Sequence, residues 1–284
     1  MNKRPAVSLI VATVNRTAEL EQMFASLGAQ RFKDFDVIVV DQNTDDRLVP
    51  YIERARGYGL DIRHIRHFPA NLSAARNVGI AAATGEWVGF PDDDCWYDEA
   101  LLERLQVRFQ CRDPLSGAAV QWVEEGLPRT PASRLTWERS RLFRDIPVAS
   151  FQLFFHRGLF AQIGDFDCRL GVGLFFGAGE ETDLVLRALR AGALLTYEPD
   201  AMVHHPLKPP PPTPEARKAT LHRERGAGAL YAKHKLPHWV IARGLAAPVV
   251  RPLLKGSLGH DLALGCAIVK GRIDGLLGWR RMHP

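Results

Sequence analysis

Two stretches near the start restrict the fold more than anything else in the chain. Residues 6–14 and 37–40 are nearly continuous apolar runs, without the in-and-out alternation of a half-solvated strand. A strand of that kind is covered on both faces, the usual condition of a parallel sheet with helices on either side. What lies between the runs fits. Thr17 is placed to cap a helix whose Leu20, Phe24 and Leu27 share one face, and a second helix is expected after the second run, to about Arg56. Residues 61–65 read as a third strand, 73–83 as a helix, 86–90 as a fourth strand and 97–112 as an amphipathic helix. The alternation continues, with strands at 116–122, 150–156, 194–198 and 202–205 and helices at 159–163 and 184–191. The expected fold class is α/β, a mainly parallel sheet flanked by helices.

In such a sheet ligands bind beyond the carboxyl ends of the strands. Polar residues gather there: Asn15 after the first strand, Asp41 after the second, and Asp92-Asp93-Asp94 after the fourth. Three adjacent carboxylates repel one another unless a cation shares their charge. A hard divalent ion takes a few such oxygens together with substrate phosphates. An acidic turn capping the next helix also accounts for the triplet; its place after a buried strand favours the site.

Residues 208–214, Lys-Pro-Pro-Pro-Pro-Thr-Pro, can form neither regular helix nor central strand. They read as a stiff linker that divides the chain into 1–207 and 208–284. Three helices, a C-terminal helical appendage, are expected beyond it at 215–235, 238–256 and 258–278. Charge divides at the same place. Residues 208–284 hold 14 basic and four acidic residues, the remainder 23 basic and 28 acidic. A basic, apolar tail of this kind suits an anionic surface, and three readings stay open: peripheral membrane contact through 215–284, a cap packed on the rest of the chain, or a homodimer contact. It lacks the aromatic-basic interleaving of single-strand platforms, so no nucleic-acid partner is expected. No run of about 18 apolar residues predicts a spanning helix, and no signal segment is read at the start. Cys95, Cys111, Cys168 and Cys266 are scattered without a C-x-x-C pair, which fits a reducing, cytoplasmic compartment. Residues 123–147 have little periodicity and read as a surface excursion that covers the cleft.

Six short segments fall in order along the first part: 7–16, 34–42, Ala74-Ala75-Arg76-Asn77-Val78-Gly79, Pro91-Asp92-Asp93-Asp94, Gly164-Asp165-Phe166-Asp167 and Gly179-Glu180-Glu181-Thr182-Asp183-Leu184. Each is weak alone. Together, at this spacing, they resemble the family-2 glycosyltransferases, which have the GT-A fold. The resemblance covers about 5–206 and leaves the tail outside. It implies a Rossmann-like GT-A sheet and an inverting transfer of one sugar from a nucleoside diphosphate donor to a hydroxyl of a glycan or lipid-linked acceptor, with Mg²⁺ or Mn²⁺. Surface polysaccharide synthesis at the inner face of the cell membrane is the implied setting. The Q-x-x-R-W element of processive synthases is absent, so a single addition is expected. A non-catalytic GT-A module that binds a nucleotide sugar or a partner is the alternative, and the retained acids speak against it.

Residue by residue, the resemblance implies that Asp41 binds the base, that Thr13 and Asn15 line the donor side, and that Arg76 approaches the donor phosphates or base. Asp92 and Asp93 would face the nucleoside, and Asp94 would reach the metal, with His204 or His205 as a further ligand. Glu181 holds the position of the general base. The usual pair is Glu-Asp, so the longer side chain leaves open whether Glu181 or Glu180 reaches the hydroxyl. The residues alone allow plainer roles: Asp41 capping a turn, Arg76 a solvated helix charge, the histidines packed under the linker, and two glutamates favoured by a helix dipole. Asn77 reads as structural. Trp96 and Trp122 line the acceptor side or belong to the core, and Arg225-Gly226-x-Gly228 reads as a helix packing point.

Overall fold

The two apolar runs form the middle of one sheet. The computed structural model of the chain describes residues 4–124, 133–142, 149–206, 211, 213–254, 256 and 259–282. β1 (Val7–Thr13) and β2 (Phe35–Asp41) pair in parallel from Val7 against Phe35 to Thr13 against Asp41. Every residue of β2 is buried. Leu9, Val11, Val37 and Val39 face α1 (Ala18–Gly28) and α2 (Val49–Gly57). On the other face, Ile10, Ile38 and Val40 meet Ala75 and Ile80 of α3 (Leu72–Ala82). Helices on both faces are the reason these strands carry no polar alternation.

β3 (Ile62–Arg66) adds in parallel to β2, and β4 (Trp87–Gly89) adds in parallel to β1. Then come β5 (Trp96–Tyr97), α4 (Leu101–Arg104), α5 (Gln106–Phe109), β6 (Ser116–Val123), β7 (Ser133–Leu135), α6 (Trp137–Ser140), β8 (Leu153–His156), α7 (Gly158–Ile163), α8 (Glu180–Arg190) and β9 (Leu194–His204). The sheet runs β3-β2-β1-β4-β8-β6-β9-β5, with β7 beside β9. It is parallel through its first half and mixed in its second, where β8 runs antiparallel to both β4 and β6.

Several local expectations change. Residues 97–112 are not one helix: Trp96 and Tyr97 pair with β9, and two short turns follow. Residues 194–198 and 202–205 are not two strands, because a register shift opposite Val120/Gln121 absorbs the intervening residues and β9 runs on. The Thr17 side chain makes no capping bond. Residues 150–152 form a 3-10 turn ahead of β8. Part of the 123–147 excursion is regular, since β7 pairs antiparallel with β9; residues 125–132 and 143–148 lie outside the described residues. So do residues 208–210 and 212 of the expected linker.

The tail helices are α9 (Pro214–Lys233), α10 (His238–Leu254) and α11 (His260–Met282). They are not detached. Ala229 and Leu230 of α9 and Trp279 of α11 bury a cluster with Leu170 and Phe176. Each large apolar side chain so covered contributes about 1.5–3 kcal/mol. Lys233 Nζ lies 2.7 Å from Asp167 and 2.8 Å from Asp183, and His234 Nε2 lies 3.0 Å from Asp183. Two acids of the sequence motifs, Asp167 and Asp183, therefore hold the tail. Arg225-Gly226-x-Gly228 is a packing point: a Cβ on Gly226 would stand 1.9 Å from the Ala178 carbonyl oxygen, and one on Gly228 2.0 Å from that of Arg272. Among the described residues, no helix is long and apolar enough to cross a membrane.

Candidate active site

β4 ends against a wall of rings, Phe90 packing edge-on to Phe166 and Phe160. That fixes the turn that follows, and the three carboxylates fan out to separate partners. Asp92 Oδ1 accepts from Arg76 Nη2 and from Ser150 Oγ, each at 3.1 Å. Asp93 Oδ2 accepts from Thr13 Oγ1 at 2.7 Å, and its other oxygen lies 3.2 Å from Arg16 Nε. Asp94 Oδ2 accepts from Arg16 Nη1 at 2.6 Å, while Oδ1 lies 3.0 Å from His205 Nε2. Their proton affinities diverge accordingly. Burial pushes Asp92 up, against the pull of Arg76 and His205. Burial pushes Asp93 up to about 6, against Thr13 and Arg16. The hydrogen bond with His205 holds Asp94 below the usual carboxylate range, with Arg16 adding to it and burial opposing.

The two histidines separate. Successive side chains at the end of a strand point to opposite sides. His204 turns away, 2.8 Å from Asp98 Oδ1 and stacked on Trp96. It takes no part in the acidic cluster, which corrects its place among the expected ligands. His205 faces Asp94, stacked on Phe151 at 4.5 Å between ring centres and edge-on to Trp122. Trp122 thus belongs to the wall that seats His205, its Nε1 donating to the His205 carbonyl. Asp92, Asp94 and His205 each offer a ligand atom, all within 4.8 Å of one another. Two carboxylates and one imidazole form a donor set that fits Mn²⁺ or Mg²⁺ completed by phosphate or water oxygens.

A second acidic pair joins this cluster from α8, which begins at Glu180, earlier than the sequence suggests. Arg76 is the joint. It is 3% exposed, so it is not a solvated helix charge. Nη1 donates to Glu180 Oε1 at 3.0 Å and Nη2 to Ser150 Oγ at 2.6 Å, in addition to Asp92. The Arg76 guanidinium is thus engaged by Glu180, Asp92 and Ser150, and these contacts do not display the expected role toward donor phosphates. Glu181 differs from Glu180. Its Oε2 is buried with no hydrogen-bond partner among the described residues. Burial and the neighbouring Glu180 push its proton affinity well up, against Arg76.

The donor-side residues are partly rearranged. Asp41 is fully buried. Its carboxylate caps a turn at Asn43 N, 2.8 Å away, and holds His64 Nε2 at 2.9 Å. It has no exposed surface to offer a base, so the turn-capping role read from the sequence is the one the geometry displays. Asn15 is exposed, with φ of 61° and its N–H on Asn43 Oδ1. Thr13 is spent on Asp93. Asn77 pairs with Phe166, giving to its carbonyl and taking from its N–H, both at 2.9 Å, which fixes the Gly-Asp-Phe-Asp turn. Arg16, Ser150 and Phe151 join the site without a mark in the sequence. Arg16 lies just after the first strand among polar residues that all look alike, and nothing local distinguishes the other two.

Residues 8–164 match the family model of Glycosyl transferase family 2. The chain belongs to glycosyl transferase family 2. Within family 2 it is similar to the Pre-mycofactocin glycosyltransferase of Mycobacterium tuberculosis, 26% identical over 284 residues that cover 94% of this chain and 56% of the relative. It is also similar to the GalNAc(5)-diNAcBac-PP-undecaprenol beta-1,3-glucosyltransferase of Campylobacter jejuni, 32% identical over 108 residues, 37% of this chain and 34% of that one. The chain spans about half, or less, of the length of these curated relatives. Among solved structures it resembles the mannosyltransferase PcManGT of Pyrobaculum calidifontis in complex with GDP-Man and Mn²⁺, with TM-score 0.67 and 16% identity over 98% of this chain and 88% of that one. At that identity the likeness shows the fold, the GT-A fold expected from the motifs.

Proposed function

We propose that this family-2 chain moves one sugar, with inversion, from a nucleoside diphosphate donor to a hydroxyl of a glycan or lipid-linked acceptor. Mn²⁺ or Mg²⁺ is held by Asp92, Asp94 and His205. The observation that carries the reading is Arg76, which ties the strand-end acid Asp92 to Glu180 at the start of α8 and so brings both acidic motifs to one site. PcManGT is a structure with GDP-Man and Mn²⁺, which supports a nucleotide-sugar donor here. The undecaprenol-linked acceptor in the name of the Campylobacter relative supports a lipid-linked one.

A bound divalent ion supplies positive charge against the leaving diphosphate. The protein's own residues do the rest. Arg16 and Thr13 hold Asp93, and Arg16 offsets the repulsion among the three carboxylates. Phe151 and Trp122 fix the His205 ring. Arg76 fixes Glu180, which acts as a positioning residue. Glu181 is the base: the carboxylate of this part-exposed residue takes the proton from the acceptor hydroxyl as the hydroxyl oxygen attacks the anomeric carbon from the face opposite the diphosphate, which leaves with the bonding pair. A carboxylate with raised proton affinity is a better acceptor for that proton than an ordinary one. In this reading 1–207 holds the donor and the reaction. Residues 208–284 brace the loop before α8 and bring the chain to acceptors at the inner face of the membrane, in surface polysaccharide or glycolipid synthesis.

The test is a thermal-shift screen against UDP, dTDP, GDP and CMP, each with Mn²⁺, Mg²⁺ or EDTA. A ligand at about 100 times its Kd stabilises by about 2.7 kcal/mol. A metal-dependent shift with one nucleoside diphosphate is expected. No shift with any of them in folded protein counts against the donor site.

A further inference from the structure

α10 has no acidic residue, and its fixed charges are Arg243 and Arg251. Trp239, Val250, Leu253 and Leu254 are exposed on it, Leu254 by 82%. Trp239, Ala246, Val250 and Leu253 follow one another at helical spacing and form one stripe, with Ala246 exposed among them. An apolar stripe flanked by arginine and free of acid is the pattern of a helix that lies in a membrane interface.

Beside the stripe is a cavity of about 1010 Å³ between α9, α10 and α11. Val240, Leu264 and Ile268 supply apolar wall, and Arg243, Arg251 and Arg272 face it against one acid, Asp261. The arginines are unequally engaged. Arg272 is spent, its Nε on Glu224 and its Nη1 on the Gly244 carbonyl, both at 2.6 Å. Arg243 Nη2 donates to the Leu142 carbonyl, but its Nη1 is buried with no hydrogen-bond partner among the described residues. Arg251 is exposed and forms no ion pair among the described residues. A phosphate suits the planar fork of arginine, and an apolar wall suits what is attached to that phosphate.

We infer that α10 seats the chain on an anionic membrane. The stripe enters the boundary between headgroups and acyl chains, and the cavity takes the phosphate of one lipid between Arg243 and Arg251. The inference deepens the proposed function by naming how the chain meets the membrane, but the contact needs no turnover and can be read without a donor.

The experiment is flotation of the full chain with vesicles of phosphatidylcholine alone and of phosphatidylcholine mixed with phosphatidylglycerol. Binding to the mixed vesicles only, weakened by salt, is expected. Arg251→Gln should lower it about fivefold, the worth of one arginine near an anionic surface. Leu253→Glu, which puts charge into the stripe, should lower it at least as much. Both positions are exposed, so both variants should keep the melting temperature and the nucleotide-induced shift of the parent. Absence of binding to the mixed vesicles overturns the inference. So does binding that either variant leaves unchanged. Light scattering on Leu253→Glu covers the remaining occupant: a fall in particle mass with vesicle binding intact makes the stripe a contact between copies. Vesicle binding without any nucleotide shift strikes the proposed function and leaves the membrane contact standing.

Discussion

Arg16 Nη1 stands 2.6 Å from Asp94 Oδ2, and the other oxygen of the same carboxylate lies 3.0 Å from His205 Nε2. One aspartate is thus shared between a permanent cation and an imidazole, at the point where the ligand atoms of Asp92, Asp94 and His205 converge. Arg16 supplies positive charge where the triplet needs it. A divalent ion would supply the same charge.

Arg16→Gln should therefore tighten Mn²⁺ binding in the nucleotide-free protein. Arg16 is about one-third exposed, so its repulsion of the ion is screened and amounts to about 1 kcal/mol, or roughly fivefold in affinity. Titration calorimetry with Mn²⁺ checks the sign; weaker binding in the variant would make Arg16 a support of the site rather than a competitor.

His205→Ala and His204→Ala should part company. If His205 holds the ion as proposed, its loss should lower Mn²⁺ affinity tenfold or more, since losing a direct ligand costs at least as much as losing a group that only orients one. Loss of His204 removes only the Asp98 and Trp96 contacts, which lie off the cluster. The same calorimetric titration separates the two.

Glu181→Gln should abolish transfer by 10²–10⁴-fold, roughly the range of a general base, while keeping the nucleotide shift. It should also stabilise the fold at neutral and alkaline pH. The folded-state proton affinity of Glu181 is raised, so its burial is tolerated below the unfolded value and stability falls as pH rises through the folded one. Melting curves of the two proteins should meet at low pH and separate as pH increases.

Asp93→Asn follows the same sign. With Asp93 pushed up to about 6, the parent should lose stability between the unfolded value and about pH 6, and the variant should not. Melting temperatures across that window, at fixed ionic strength, are the check; parallel curves would show that Thr13 and Arg16 offset the burial.

Gly226→Ala should disturb the reaction from outside the site. Its Cβ would meet the Ala178 carbonyl oxygen at 1.9 Å, two residues before Glu180, so either α9 or the loop must move. Overpacking of this kind costs about 1–3 kcal/mol. A fall in transfer rate larger than the fall in nucleotide affinity is expected, read as kcat against Kd, because the displaced loop leads into the helix that carries the proposed base and not into the strand ends proposed to hold the donor.

Much of the central sheet was legible because its signal is local. Both faces of β1 and β2 are buried, so the sequence itself is apolar at every position, and the strand ends are marked by the polar residues that follow. The acidic cluster was legible for the same reason, three carboxylates in a row being improbable without compensation. Residues 97–112 misled because Tyr97 pairs with a strand a hundred residues away, and β9 looked broken because Pro199 and Asp200 fall where its register against β6 shifts while the strand runs on.

The sequence by itself determined the α/β class, the strand ends where chemistry collects, the acids available there, and a basic tail of helices. Tertiary structure alone decided who meets whom. It turned His205 toward Asp94 and His204 away, because strand alternation and ring stacking fix each ring. It set His64 against Asp41 and spent Arg76 on joining Asp92 to Glu180. It laid the tail on the loop before α8 through Gly226. Each of these depends on contacts between residues tens to hundreds of positions apart, and a linear pattern carries no record of distances of that kind.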